Sequence, residues 1–267
     1  MSDDPLVVKV ENYIAWLTLN RPEKRNTMTA DFFVKLREIF PQLDADPAIR
    51  VVVIKAEGKS FTGGLDVVAA AGAFDSSGAD GRDRFKREIM LLQDSINVIE
   101  ACRKPVIAAV HSHCIGGGVD MLCACDIRMA TADAIFSIRE TKMAMVADLG
   151  TLQRLPTIVG WGRARELALT GRNFTAAEAL AMGFITHVAA DRPALYLEAG
   201  RLAAEIAACS PVTVQNVKEV MNYSRDHGIN AGLEYVAQKN AAILPSEDVM
   251  EAFQSFIQKR PANFTGK

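Results

Sequence analysis

The sequence predicts an α/β fold, and three observations carry that prediction. Two short β-branched runs, VVVIKA from Val51 and VIAAV after Pro105, each lead into a glycine-rich loop. Strand-like runs then alternate with amphipathic helical stretches through the first two thirds of the chain. From about Asp191 onward the chain reads as helical. The expected division is a core carrying the site over residues 1–190 and a helical C-terminal region over 191–267. Of 267 residues, 49% are apolar and 23% charged, which supports one large domain or a domain with a small appendage.

The elements follow in order. Leu6 to Val10 and Ile14 to Leu19 read as a strand pair, with Glu11 and Asn12 near the turn. After NRPEKRN comes an amphipathic helix from Ala30 to Leu43, stopped before Pro47. The strand from Val51 ends in GKSFTGGLD. The stretch Gly72 to Gly81 (GAFDSSGADG) has the composition of a mobile loop, and a helix is expected from Arg84 to Ala101. Lys104 and Pro105 lead into VIAAV. The turn at Gly116, Gly117 and Gly118 starts a helix through Cys125, and IRMA from Ile127 is again strand-like. Thr175 and Glu178 form a capping box, with Gly183 placed to end that helix. Ser210-Pro211 offers an N-cap and a first-turn proline, and Ser246 caps a last helix that stops before Pro261. Helices so rich in Ala, Leu and Val need a surface to cover, either the core or another subunit.

Composition narrows the function. A net charge of −2 and a pI near 6.1 give no basic excess for nucleic acid or an anionic membrane. No apolar run approaches a membrane span. The five cysteines are odd in number and lack CxxC spacing, which points to buried thiols in a reducing compartment. MSDDPLVV has no signal-peptide pattern and FTGK no recognisable address, so a cytoplasmic protein is expected.

The chemistry concentrates between Cys114 and Pro156. Asp120 follows the three glycines, Glu140 comes twenty positions later, and Asp148 eight after that. Neither glycine loop closes with Gly-Lys-Ser/Thr, and neither supplies G-x-G-x-x-G with the right flanks, so a phosphate cradle or dinucleotide site is disfavoured. What remains is a pair of backbone N–H groups, one per loop, able to converge on one oxygen. One such donor is typically worth about 2.7–4 kcal/mol to a transition state. Tight turns and close packing are the alternative reading of the glycines.

Each carboxylate also has an ordinary reading. Asp120 suits a helix first turn. Glu140 could pair with Arg139 or Lys142, and Asp148 could be a loop or N-cap residue. Together with the N–H pair, however, they make a site suited to forming and quenching an enolate. Asp148 lies in MAMVADLG, an apolar setting in which a lone carboxylate is costly. His111, His113 and Cys114 could suggest a metal, but no further His is near and zinc-type spacing is absent, so no metal is expected. No Gly-x-Ser-x-Gly elbow supports a serine hydrolase. Lys24 and Arg25 could hold ligand phosphates or simply form a solvated turn.

The segments NRPEKRN, FTGGLD, KPVIAAVH, CIGGGVD, CDIR, GTLQRLP and LTGR resemble the enoyl-CoA hydratase/isomerase (crotonase) superfamily over nearly the whole chain. INVIEACRKPVIAAV, VADLGTLQRLP and NYSRDHGINAGLEYVA are most similar to its Δ3,5-Δ2,4-dienoyl-CoA isomerases. The resemblance implies a crotonase spiral of ββα units with a helical C-terminal trimerisation region. It further implies an acyl-CoA thioester substrate and a homotrimer or homohexamer, with no cofactor beyond the substrate's own coenzyme A. It puts the oxyanion hole at the N–H groups of Leu65 and Gly117, and substrate or coenzyme A binding at Lys24, Arg25, Gly63, Gly64, Asp66 and Gly116. Glu140 is implied to take a proton from C2 of a 3,5-dienoyl thioester and Asp148 to protonate C6, with Asp120 tuning the pair. Hydratase relatives carry Glu at the position of Asp120 and commonly Gly at that of Asp148. Ser112 and His113 depart from the glycines usual in the isomerases, so His113 either narrows the pocket or faces the core. The rival readings are an enoyl-CoA hydratase or broad-specificity relative and, remotely, a crotonase-fold RNA-binding protein, which the acidic pI disfavours.

Overall fold

The structure, a computed structural model, describes residues 4–70 and 77–267. Its strands are β1 (Leu6–Glu11), β2 (Ile14–Leu19), β3 (Val51–Ala56), β4 (Val106–Val110), β5 (His113–Ile115), β6 (Ile127–Thr131), β7 (Ile135–Ser137), β8 (Asn173–Thr175) and β9 (His187–Ala189). Six of them form one sheet in the order β1-β2-β3-β4-β6-β9, and β5-β7-β8 form a second. Only β1 and β2 pair antiparallel in the large sheet. Their two-residue turn puts Asn12 and Tyr13 at φ of 50° and 65°, the positive-φ geometry that matches strand twist in a tight hairpin.

The β3 run lacks polar alternation because both faces of the sheet are covered. Val52, Ile54 and Ala56 point into the larger core, against α1 (Ala30–Ala45), α3 (Gly78–Ala101) and α4 (Gly117–Ala124), the short α2 (Val67–Ala70) following the first glycine loop. Val51 and Val53 point the other way, into a second core roofed by α8 (Arg192–Ala207). That helix presents Leu195, Ala199, Ala203 and Ala207, a stripe at four-residue spacing whose small side chains let it lie close to the strands. A boundary at residue 190 therefore separates α8 from the sheet it covers. The helices beyond the sheet begin at α9 (Pro211–His227), which pairs with α10 (Ile229–Ile243) and is followed by α11 (Glu247–Gln258).

Helix α3 starts at Gly78, six residues before Arg84, so residues 78–81 of the expected loop are helical. Residues 72–76 of that loop lie outside the described residues. Gly81 is buried, so tertiary packing overrides the loop-like composition there. Then come α5 (Thr151–Val159), α6 (Trp161–Thr170) and α7 (Ala176–Ala181), the last with its capping box formed in both directions. Ser246 caps α11 through Val249 N–H, whereas the Ser210 hydroxyl accepts from Thr213 Oγ1 instead of capping α9. All five cysteines are free thiols; four are buried and Cys209 is exposed.

Candidate active site

The two glycine loops lie side by side. Thr62 N–H donates to His113 O at 2.9 Å, and Ile115 N–H donates back to Thr62 O at 3.3 Å. Gly64 sits at φ +84°, where a Cβ would lie 2.6 Å from Ile115 O. A Cβ on Gly118 would lie 2.4 Å from Thr62 Cγ2 and 2.8 Å from Cys114 Sγ. The glycines are thus required for close approach, and that approach is what brings the loops together.

Two N–H groups are left over by this pairing. Met28 N–H donates to Gly64 O, and Asp66 N–H donates to Met28 O, which brackets Leu65. On the other loop, Gly116 N–H donates to Ser137 O and Val119 N–H to Gly116 O, which brackets Gly117 at the first turn of α4. Among the described residues, neither the Leu65 nor the Gly117 N–H has an intramolecular acceptor. Gly117 packs against Met28, whose partner in a short parallel bridge is Leu65, so both donors belong to one locus.

Glu140 opens a single 3-10 turn, Glu140–Met143, after β7. Its Oε1 would lie 3.0 Å from a Cβ on Gly116, so the carboxyl rests on that glycine. Its Oε2 is buried with no hydrogen-bond partner among the described residues. Burial, helped by the charges of Asp120 and Asp148, pushes Glu140 up to about 7. Neither Arg139 nor Lys142 pairs with it, and Arg139 instead donates to Asn173 Oδ1 at 2.6 Å. Asp120, 1% exposed in α4, accepts Thr151 N–H at 2.7 Å. Burial raises it to about 6, and the Asp148 charge adds to this.

Asp148 differs from the expectation of an apolar setting. Its chain neighbours Ala147 and Leu149 are buried, but Asp148 itself is exposed on the wall of a cavity of about 430 Å³. The lining there is mostly polar, including Gln93, Asn97, Gln153 and Arg154. In this loop the two apolar neighbours turn inward and the carboxyl outward. Partial burial still raises its pKa.

A family model described as enoyl-CoA hydratase/isomerase matches residues 9–267. The chain belongs to the enoyl-CoA hydratase/isomerase family. It is 43% identical to the peroxisomal Δ(3,5)-Δ(2,4)-dienoyl-CoA isomerase of Arabidopsis thaliana, covering 93% of this chain and 91% of that protein. Identity to the mitochondrial isomerase of Dictyostelium discoideum is 44%, covering 94% and 87%. Among solved structures, the enoyl-CoA hydratase of Bacillus anthracis superposes with a TM-score of 0.92 at 28% identity, covering 98% of this chain and all of that one. The fold is the crotonase fold of this family.

The family's remaining expected positions separate into two groups. Arg25 and Gly63 line a second cavity of about 440 Å³ together with Lys59, Ser60, Ser112, His113 and Ile115. Lys24 is exposed and lies outside this lining. His113 therefore faces the cavity and not the core, with Nδ1 2.9 Å from Ser112 Oγ. Asp66 is engaged in holding its own turn: its carboxylate accepts from Thr27 Oγ1 and Ala69 N–H and lies 3.6 Å from Arg21. His111 lies apart from His113, between Gly58 O and the Tyr196 hydroxyl, because Ser112 at φ +54° breaks the strand alternation. Lys59, Thr151, Gln93 and Arg154 were not singled out from the sequence. Lys59 lay within the quoted glycine loop, and Arg154 within GTLQRLP, but nothing local marked either one.

Proposed function

We propose that this family member shifts the double bonds of a 3,5-dienoyl-CoA to the 2,4 positions. The observation that carries this reading is the half-buried Glu140 carboxyl, whose Oε2 is buried without a hydrogen-bond partner among the described residues, beside two N–H groups left without acceptors, with Asp148 close enough to raise its pKa. The thioester oxygen accepts from Leu65 and Gly117 N–H. Glu140 takes a proton from C2, and the electron pair delocalises through the thioester and the 3,5-diene as a dienolate. Asp148 then gives a proton to C6, and the bonds settle at C2–C3 and C4–C5. One proton leaves carbon and one returns, so the cycle closes when the proton on Glu140 is passed back to Asp148. Asp120, buried between them in charge terms, opposes simultaneous ionisation of all three.

The basic cavity at Arg25, Lys59 and His113 suits the anionic part of an acyl-CoA thioester. A trimer or dimer of trimers is supported by apolar side chains left exposed on the last helices: Val217 54%, Met221 68%, Ile229 79%, Leu233 62% and Phe256 84%. The relatives' names support isomerisation, and the carboxyl at 148 distinguishes it from hydration, which needs no acid so far along the acyl chain. An ultraviolet assay of the purified protein on 3,5-dienoyl-CoA and crotonyl-CoA, side by side, tests the reading. Conversion of the dienoyl substrate at least tenfold faster is expected, and turnover of crotonyl-CoA alone would overturn it.

A further inference from the structure

Among the described residues no other side chain hydrogen-bonds the Asp148 carboxyl, which interacts with its own backbone N–H, yet the proposed chemistry needs it aimed at one carbon. Its position must come from the backbone that carries it, and that backbone is held from α3. Gln93 Nε2 donates to Asp148 O at 2.7 Å. Two residues on, Gly150 is covered by the Arg154 guanidinium: a Cβ there would lie 2.0 Å from Nη1. Gly150 stands at φ +121°, so only a residue without Cβ fits beneath that cation.

Arg154 is itself fixed to α3. Its Nε and Nη2 both donate to Glu100 Oε2, at 3.1 and 2.9 Å, and Nη2 also donates to Asn97 Oδ1 at 2.8 Å. Glu100 is shared with Arg225 of α9, whose Nη1 donates to Oε1 at 2.5 Å. Burial works against the Glu100 charge, but the two guanidiniums overcome it and hold the carboxyl below its ordinary range. The planar fork of Arg154, bound along its Nε–Nη2 edge to Glu100 and Asn97, is held more firmly than a lone ammonium would be. On the far side, Thr151 N–H is tied to Asp120. Three contacts thus hold residues 148–151: Gln93 directly from α3, Arg154 of α5 through its own bonds to α3, and Asp120 from α4. None of the α3 contacts reaches Glu140.

We propose that Gln93 and Arg154 are positioning residues for the C6 proton donor, setting Asp148 through its backbone without contacting the C2 base. The claim rests on the isomerase reading given above. It assigns a division of labour: the Glu140 half of the reaction is built on β7 and the glycine loops, and the Asp148 half is suspended from α3.

The test uses Gln93→Leu and Arg154→Met in the full-length protein with one 3,5-dienoyl-CoA in heavy water. Two rates are read for each: exchange of the C2 proton, which reports Glu140, and formation of the 2,4-dienoyl product, which needs Asp148. Product formation should fall roughly 10- to 100-fold, the penalty for displacing a reacting group by about 1 Å, while C2 exchange and KM change less than threefold. A merely structural role would lower both rates together, and that outcome, or wild-type product formation in both variants, overturns the proposal. Should Arg154→Met fail to fold, Gln93→Leu, which removes one surface hydrogen bond, carries the test alone. If the wild type exchanges C2 protons but forms no 2,4-dienoyl product, it is the isomerase reading that fails, and the two failures are distinct.

Discussion

Glu140 and Asp148 stand in different surroundings, one buried against Gly116 and the other at the wall of a polar cavity. Both Glu140→Gln and Asp148→Asn should lower isomerase turnover by about 10²–10⁴-fold, the usual contribution of a positioned proton-transfer group. Thioester affinity should hardly change; near-wild-type turnover in either variant removes that residue from the mechanism. The raised pKa values also make a stability prediction. Glu140 titrates near 4.5 when unfolded and about 7 when folded, and Asp120 near 3.8 and about 6. The folded state therefore keeps protons that the unfolded chain has already released. The associated stability is complete below the unfolded pKa and is lost as pH rises through the folded one. Asp120→Asn should consequently gain stability relative to wild type between pH 3.5 and pH 8, by on the order of 1–3 kcal/mol. Urea unfolding at the two pH values measures this, and a gap independent of pH would contradict it.

At the scale of elements, the site depends on two loops touching through glycine. Gly64→Ala would force a Cβ against Ile115 O at positive φ and so pry the loops apart. We expect a destabilisation of about 1–3 kcal/mol from the strained backbone and a loss of turnover of about 10²-fold or more from the displaced Leu65 N–H. Gly160 is the matched control. It has φ +82°, but a Cβ there meets nothing within 4 Å. Gly160→Ala should cost stability and leave kcat within about twofold. Equal kcat losses in the two variants would mean that the approach of the loops does not matter to catalysis. The glycine clusters were legible in the sequence as special backbone positions. Their pairing was not, because the hydrogen bonds joining Thr62 to His113 and Ile115 span about fifty residues.

For the whole molecule, α9, α10 and α11 leave apolar side chains without a cover inside the chain, whereas α8 buries its small-residue stripe completely. Light scattering should give a trimer or a dimer of trimers at micromolar concentration, and a monodisperse active monomer would refute the assignment. Chelators should leave activity unchanged, because His111 and His113, the pair that suggested a metal, are directed to different partners. Loss of activity on chelation, restored by one divalent ion, would count against this.

Local chemistry was decided by the sequence itself. The hairpin at Asn12, the capping box at Thr175 and Glu178, the cap at Ser246 and the continuous apolar run of β3 all rest on interactions within a few residues or on unbroken local hydrophobicity. The three carboxylates were equally visible, since Asp120, Glu140 and Asp148 stand in motifs that resemble those of a known family. Distance in sequence hid the rest. Helix α8 belongs to the core because the second face of the sheet had to be covered, a demand that no stretch of residues 192–207 announces. Asp148 faces a polar cavity because α3 and α9 supply much of its wall, from residues far from it in the chain on either side. Arg154 serves that site because Glu100, on a distant stretch of the chain, meets it only after folding. Periodicity and capping act through neighbours in the chain, but burial, pKa and the aim of a carboxyl act through neighbours in space.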